Sequence, residues 1–302
     1  MRQRDVIKVL FQTFYQRFSY LELEQMVEYF SILGGLDEAI ELDYFDDIFS
    51  MLESQFVQNF AKYEAYISPS YILESPYKEL LMAIARGDGK YYSVLRKAKL
   101  SESVGDTMIE TLVSLNILTI EYSRESPLRV HPKHKLKKEQ RSYRIQDKLR
   151  FRHPFMRFWF GFVSYYTEEL RLGKGENFLQ HFKEHYERLR SLVYEQLSNA
   201  LLLHYYEDKE VILSSGSYWD IHSEFDILAI TKSKKMILGE CKYKERIVCK
   251  NELNKLQLKA IKSGIAVDSY ALFSKSGFSK ELWGMQDAGL LLFDLAALKK
   301  LL

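Results

Sequence analysis

The sequence predicts an α+β chain of more than one domain, and three patterns along it support this fold class. The first 66 residues repeat apolar side chains at helical spacing, most clearly in "RDVIKVLFQTFYQRF". Residues 76–145 contain three short helical patterns and then an alternating, β-type run. The last third follows the order α-β-β-α-β-β, which is typical of an α/β layer arrangement. With 302 residues, the chain is long enough for two or three domains.

The N-terminal part, residues 1–70, is predicted to be a helical segment. "RDVIKVLFQTFYQRF" and "ELEQMVEYFSIL" are two amphipathic helices, and Gly34-Gly35 ends the second. "YFDDIFSMLESQFVQNFAKYEAYI" contains neither proline nor glycine, so we predict that the chain continues as helix there.

Residues 71–150 show the pattern of a winged helix, a helix-turn-helix variant that adds a β-hairpin. Pro76 can begin a first helix that Gly87 ends, and "KYYSVLRKAKL" is a second. The third, "SESVGDTMIETLVSLNIL", is capped by Ser101 or Ser103, and its segment Asp106–Leu115 would be the recognition helix. "ILTIEY" is a strand, and "RSYRIQD" is the predicted returning strand.

Charge along this region indicates where a nucleic acid would bind. The recognition helix carries Asp106 and Glu110 but no lysine or arginine, which is poor for phosphate contacts, so the winged helix could instead only pack against protein. Ten Lys/Arg lie between Arg129 and Arg152, and this excess is either a polyanion-binding wing or a solvated loop. The candidate nucleic-acid-binding residues are Lys133, Lys135, Lys137, Lys138, Arg141 and Lys244.

An aromatic linker helix is predicted within residues 151–188, from "PFMRFWFGFVSYYTEELRLGKG". We interpret its shared aromatic face as a buried bridge between domains, the alternative being a nucleotide-stacking platform. His181 and His185 follow at a spacing of four, but they lack the additional ligands of a zinc site. The aromatic residues on one face are Phe155, Phe158, Trp159, Phe162 and Tyr166.

Cysteine usage and hydropathy predict the compartment. Cys241 and Cys249 are too few for a disulfide framework, which favours reduced thiols. No apolar run approaches the roughly 18 residues of a membrane span. The basic, then apolar start "MRQRDVIKVLFQTF" lacks a small-residue cleavage site, so it is read as a helix. We therefore expect a cytoplasmic protein with no membrane partner, and a homo-oligomer is left open.

The C-terminal β-hairpin brings carboxylates together. Because residues two apart in a strand share a face, Glu240 and Lys242 should point together while Cys241 points away. Asp226 lies on the preceding strand and can approach Glu240 across the ladder, and Glu224 shares its face. A glutamate inside the apolar "ILGECKY" costs free energy unless a partner or a metal satisfies it. Spacing alone allows either a metal site or an ion pair on an exposed sheet.

"SEFDILAI" and "MILGECKY" resemble the Asp…Glu-x-Lys core of the PD-(D/E)XK nuclease superfamily. More closely, residues 141–302 resemble the C-terminal domain of unknown function that follows the ATPase module in the archaeal-type ATPase family. The matching stretches include "YRIQDKLRFRHPFMRFWFGFV", "LVYEQL", "ILGECKYK" and "ALFSKSGFSKEL". Residues 76–145 resemble that family's winged helix, and "YFSILGGL" resembles the ATPase lid. No P-loop spacing occurs in the chain, so ATP binding and hydrolysis are not carried over.

The resemblance implies that residues 189–302 form a restriction-endonuclease-like core, with a central mixed sheet flanked by helices. Asp226 and Glu240 would ligate Mg²⁺ or Mn²⁺, and Lys242 would orient or deprotonate the attacking water. Glu195 and Gln257 would be supporting residues, although an exposed helix face or a cap explains them equally well. Positive potential around the site would come from Lys232, Lys234, Lys235, Lys244, Lys255 and Lys259.

Two functions follow from the sequence. The first is a metal-dependent nuclease-like protein that hydrolyses the phosphodiester bonds of DNA, with the winged helix and its basic wing holding the duplex. The second is a non-catalytic DNA- or protein-binding remnant of an archaeal-type ATPase. The three residues Asp226, Glu240 and Lys242 favour the first, and the missing ATPase module favours the second.

Overall fold

The computed structural model describes residues 3–36, 40–43, 47–127, 131, 135–136, 138–287 and 289–302. The chain divides into two compact units. Unit 1 contains Met1–Glu121, Lys148–Val193 and Leu302, and unit 2 contains Tyr122–Asp147 and Tyr194–Leu301. The fold is α+β, with a helical N-terminal segment and a five-stranded mixed sheet. None of the helices described is long and apolar enough to cross a membrane.

Unit 1 begins with helices, as predicted, but the third predicted helix is interrupted. Helix α2 (Leu23–Leu33) ends where expected: the Gly34 N–H donates a last helical bond to the Phe30 carbonyl at 2.9 Å, and Gly34 itself leaves the helical conformation, with ψ at 126°. In the described part of the third predicted helix the chain is helical but irregular, since a π-helical segment, Leu52–Val57, and a break at Asn59 divide it. The elements are α1 (Gln3–Arg17), α2 (Leu23–Leu33), α3 (Ile48–Met51) and α4 (Phe60–Ala65), followed by a 3₁₀ turn (Ser70–Leu73).

Three further helices and a two-stranded antiparallel sheet follow. They are α5 (Tyr77–Arg86), α6 (Tyr91–Ala98), α7 (Glu102–Ser114), β1 (Leu118–Glu121) and β2 (Lys148–Phe151). Ser101 is the cap of α7, because its hydroxyl accepts from the Val104 N–H. The predicted returning strand, "RSYRIQD", is wrong: β1 pairs with β2, which begins directly after that stretch. The connection between the two strands belongs to unit 2.

The aromatic segment is not one helix. It comprises α8 (Pro154–Gly161), a 3₁₀ turn (Val163–Tyr165) and α9 (Thr167–Arg171), and α10 (Glu176–His185) and α11 (Glu187–Tyr206) follow. Trp159 is fully buried and stacks on Phe60 with ring centres 5.5 Å apart, while Phe158 contacts Phe178 and Phe182. Because a buried ring offers no face to a base, these aromatic side chains form core of unit 1 and not a stacking platform.

Unit 2 is built around the five-stranded sheet, whose order is β3-β6-β7-β8-β9. Pairing is antiparallel from β3 to β7 and parallel from β7 to β9, so the predicted mixed sheet is confirmed. The sequence did not reveal β3 (Ile212–Ser214) or β4 (Tyr218–Trp219). A 3₁₀ helix, Leu295–Leu301, follows the last strand. The elements are β3 (Ile212–Ser214), β4 (Tyr218–Trp219), β5 (Glu224–Phe225), β6 (Ile227–Thr231), β7 (Met236–Lys242), α12 (Lys250–Lys262), β8 (Ser269–Ser274), α13 (Lys280–Met285) and β9 (Leu290–Asp294).

One apolar layer packs between α12 and the sheet. Leu238 of β7 and Leu272 of β8 meet Leu253 and Leu256 of α12, and all four are buried. Since side chains alternate along a strand, the residues of β7 that follow Leu238 at two-residue steps continue on this same face. The apolar layer therefore leads directly to Glu240 and then Lys242 at the end of the strand.

The described part of the β1–β2 connection packs on the sheet of unit 2. The guanidinium of Arg124 donates to the carbonyls of Leu228 and Gly216, both at 2.8 Å, and of Ser217 at 2.9 Å. The Trp219 indole N–H donates to the Gln146 carbonyl at 2.9 Å. These bonds hold both ends of the connection, 122–127 and 138–147, against the β3 and β4 region.

Candidate functional site

The register of β6 and β7 sets two carboxylates opposite each other. Ile227 pairs with Gly239 and Leu228 with Leu238, so the next position outward places Asp226 across from Glu240. Asp226 lies in the one-residue gap between β5 and β6, where its Oδ2 accepts the Cys241 N–H at 2.7 Å. A main-chain hydrogen bond of this kind fixes the carboxylate against the adjoining strand.

Glu240 and Lys242 lie on one face, as their two-residue spacing predicts. The Lys242 Nζ donates to Glu240 Oε1 at 2.5 Å, and Lys259 of α12 lies 3.4 Å from Oε2. Glu240 is only 8% exposed. Two ammonium groups therefore offset the cost of burying this carboxylate.

Glu252 in the first turn of α12 is a member of the site that sequence reasoning missed. Its carboxylate lies 3.9 Å from Lys242 and 2.8 Å from Lys255, and the side chain is largely buried. The hydrogen bond from Lys255, with the charge of Lys242 adding to it, lowers the pKa of Glu252. Only its place at a helix N-terminus could have suggested it, and that signal does not identify a partner strand.

The charge state of the site follows from burial. Burial, with the neighbouring Glu240 charge adding to it, raises the pKa of Asp226 from 3.8 to about 6, although the Cys241 N–H and two lysines oppose the rise. Burial disfavours the charge on Lys242, but Glu240 and the other carboxylates outweigh it and raise the pKa of Lys242. Lys242 is therefore an ammonium at neutral pH, which can donate a hydrogen bond but cannot accept a proton.

Asp226→Asn should change the pH dependence of stability. A folded pKa of about 6 against 3.8 means that the native state binds the extra proton between these values, so stability falls as pH rises through this window. Asparagine does not titrate and keeps an acceptor for Cys241. The free energy of unfolding of the variant minus that of the wild type should therefore be about 2 kcal/mol larger at pH 7 than at pH 4. Urea unfolding at the two pH values measures this difference.

Asp268→Asn is the matched control for that measurement. The exposed Asp268 accepts the Met236 N–H at 2.8 Å, so it makes the same type of bond at the other end of β7. The control tests whether losing a carboxylate that accepts a main-chain N–H of β7 is enough by itself to change the slope of stability against pH. An equal change in both variants would contradict the assignment of the effect to Asp226.

Cys241 faces away from the carboxylates, as the alternation along β7 predicts. Burial raises the pKa of its thiol well above the usual value, and the charges of Asp226 and Glu195 add to this. Glu195, on α11, thus acts electrostatically on the opposite face of the strand. A buried thiol with a raised pKa is unreactive, so Cys241 is a packing residue.

Other predicted site residues are more scattered. Glu224 is exposed on β5, and Gln257 is half-buried on α12. The turn with Lys232, Lys234 and Lys235 joins β6 to β7 at the end opposite the carboxylates, so these lysines do not surround the site. Lys255 and Lys259 do lie at the site.

The candidate nucleic-acid-binding residues are described only in part. Lys133 and Lys137 lie outside the described residues, whereas Lys135, Lys138 and Arg141 belong to the connection in unit 2. The Arg141 Nε donates to the Leu136 carbonyl at 3.2 Å. Lys244 is exposed two residues beyond Lys242. Within the described part of the chain, no group of three or more His, Cys, Asp or Glu residues is arranged to hold a metal ion.

Comparison with known proteins finds one family model that matches the part of the chain containing the site. Residues 159–260 match the family model DUF234, described as "Archaea bacterial proteins of unknown function". This span includes Asp226, Glu240, Lys242 and Glu252. The comparison with curated proteins gave no match.

Among solved structures, the crystal structure of protein VC1899 from Vibrio cholerae aligns with 16% sequence identity and a TM-score of 0.27. The alignment covers 85% of this chain and 55% of that one, so the chain spans little more than half the length of the Vibrio protein.

Proposed function

We propose that unit 2 is a nuclease-like domain that hydrolyses phosphodiester bonds of DNA with the help of Mg²⁺ or Mn²⁺. The observation that supports this most directly is the placement of Asp226 opposite Glu240, with the Lys242 ammonium 2.5 Å from Glu240. Two carboxylates and one cationic donor on adjoining strands are the minimum that such chemistry needs from the protein.

The donor set fits a hard divalent cation. Carboxylate oxygens of Asp226 and Glu240 are the ligands that Mg²⁺ prefers, and the ion completes its shell with water and substrate phosphate. Such a cation, when bound, neutralises phosphoryl charge and lowers the pKa of bound water. Asp226 is ionised above pH 6 and so can take part at neutral pH.

The chain's own lysines have distinct roles in this proposal. Lys242 is charged, so it orients the attacking water and stabilises the developing negative charge by donating hydrogen bonds. Because an ammonium group has no lone pair, Lys242 does not abstract the proton from that water. Lys259, 3.4 Å from Glu240, would share the charge of that carboxylate and offer a second phosphate contact.

The finer fold assignments belong to this proposal as well. The order α5, α6, α7, β1, β2 would fit a winged helix, and the isolated bridge between Lys90 and Lys148 would stand where such a fold pairs a short third strand. Positive residues of the β1–β2 connection, among them Lys135 and Lys138, would hold the DNA backbone.

A second candidate function is DNA or protein binding without catalysis. It is favoured because both oxygens of Glu240 already face ammonium groups, so the described site is charge-balanced without a cation. Within the described residues, no third His, Cys, Asp or Glu is arranged to bind one metal ion together with Asp226 and Glu240, and this favours it too.

Cleavage of plasmid DNA in the presence of Mn²⁺ separates the two functions. The wild type should convert supercoiled DNA to nicked or linear forms, and EDTA should stop the reaction. Asp226→Ala should lower the rate by at least about 100-fold, because even the outer-shell partners of a metal contribute roughly 10- to 100-fold. DNA binding without any Mn²⁺-dependent cleavage by the wild type would favour the non-catalytic function. Cleavage that survives Asp226→Ala would remove Asp226 from the mechanism.

A further inference from the structure

Unit 1 contains a cavity of about 310 Å³ that the proposed nuclease site does not use. Arg86, Arg157 and Arg188 line it together with His181 and His185, and Phe162 contributes to an apolar wall. The described residues that line it include no aspartate or glutamate. Cavities of roughly this volume are at the lower end of the range for small-molecule sites.

Two of the guanidinium groups have no carboxylate partner within the described residues. Arg86 donates from Nε to the Gly161 carbonyl at 3.2 Å and lies 3.5 Å from the centre of the Tyr165 ring. Arg188 donates from its two Nη atoms to the carbonyls of Arg86 and Gly87, both at 2.7 Å. These contacts fix the position of both groups but leave their positive charges without a counterion.

Histidines complete the polar wall. The Nδ1 atom of His181 is buried and has no hydrogen-bond partner, which is costly unless a ligand supplies one. His185 packs on His181 with ring centres 5.0 Å apart. The carboxylate of the exposed Glu184 lies 3.9 Å from His185, and Glu184 does not line the cavity.

The electrostatics of the cavity favour an anion. Burial lowers the pKa of Arg86, and burial together with the charge of Arg86 lowers the pKa of His181. Burial is the largest cause of both shifts, so a positive charge on either group is poorly solvated in this cavity. An anion in the cavity would relieve this cost, and guanidinium groups match the geometry of phosphate oxygens well.

We infer that this cavity binds a small organic phosphate. The phosphoryl group would lie between Arg86 and Arg188 and accept from the histidines, and the organic part would pack on Phe162 and the neighbouring apolar residues. A dianion is favoured over a monocarboxylate because at least two uncompensated guanidinium groups face the cavity. The inference is independent of the nuclease proposal, since no residue of unit 2 takes part.

Titration calorimetry of the full chain with adenosine monophosphate, inorganic phosphate and adenosine tests it. We expect the nucleotide to bind more tightly than inorganic phosphate, and adenosine not to bind. No heat with either phosphate probe would overturn the inference. So would equal binding of adenosine and the nucleotide, and equal affinities for nucleotide and inorganic phosphate would overturn its organic part.

Three variants locate the site. Arg86→Gln should weaken nucleotide binding at least tenfold, and His185→Gln, a change at an exposed side chain, should weaken it about threefold. Arg171→Gln is the control, because that arginine pairs with Glu64 and Glu168 outside the cavity. If Arg86→Gln fails to fold, His185→Gln decides: unchanged affinity in every folded cavity variant would overturn the site.

Discussion

Glu240→Gln is expected to abolish Mn²⁺ binding and Mn²⁺-dependent DNA cleavage together, whereas Lys242→Met should separate them. Lys242 and a cation compete for the same oxygen of Glu240, since the ammonium lies 2.5 Å from Oε1. Without the ammonium, Mn²⁺ should bind as tightly as in the wild type or more tightly. Cleavage should nevertheless fall by about 100- to 1000-fold, as for loss of one transition-state donor. Calorimetry and single-turnover cleavage measure the two effects.

Glu281→Gln is the matched control, because Glu281 forms an exposed pair with Lys250 at 2.9 Å in the same unit. Neither Mn²⁺ binding nor cleavage should change in that variant. In Lys242→Met, breaking the buried pair also costs stability, about 3 kcal/mol or less because Lys259 still contacts Glu240. Folding of each variant is therefore checked by circular dichroism. Cleavage at the wild-type rate by Lys242→Met would exclude a catalytic role for Lys242 and leave it a structural partner of Glu240.

The core of the candidate site was predictable because it depends on local geometry. Alternation along one strand places Glu240 beside Lys242, and a short turn between β6 and β7 limits how far Asp226 can lie from Glu240. Both constraints can be read within about 17 residues of sequence. The raised pKa of Asp226 was not predictable, since it depends on how deeply the surrounding residues bury that side chain.

Glu252 shows where sequence reasoning stops, and Lys259 was expected near the site only as one of six lysines that the resemblance implied. They reach the site only because α12 packs on the sheet through Leu253 and Leu256, and this contact is between elements distant in sequence. On the helix alone, Glu252 resembles any solvent-facing acid in a first turn. A buried charge cluster assembled from a strand and a helix therefore needs the tertiary structure.

In the β1–β2 connection, the predicted returning strand was wrong for a related reason. The basic composition of the connection fits the wing of a winged helix, and "RSYRIQD" has a plausible strand pattern. The actual partner strand, β2, contains Lys148, which is fully buried and looks like a surface residue in sequence. Hydrogen bonds from Arg124 and Trp219 to residues 73 to 104 positions away decide the path instead.

Arg124→Met is expected to destabilise unit 2 by about 3 kcal/mol, since three hydrogen bonds from a charged donor to main-chain carbonyls are lost. The guanidinium donates to the carbonyls of Gly216, Ser217 and Leu228. Gly216 and Ser217 lie between β3 and β4, and Leu228 lies in β6. Methionine keeps much of the side-chain volume but donates nothing. Hydrogen exchange should therefore accelerate first in peptides covering 212–231, before peptides of unit 1 respond.

Arg246→Met is the control for this effect, because its side chain is 75% exposed and its nearest carboxylate, Glu252, is 3.9 Å away. A surface arginine of this kind contributes roughly 0–1 kcal/mol. If the two variants lost equal stability, the bonds of Arg124 would contribute no more than a surface charge does. Faster exchange confined to 122–127 would show that Arg124 anchors its own segment without stabilising the sheet. Only acceleration in β3 and β6 supports the conclusion that the connection is an integral part of the sheet unit.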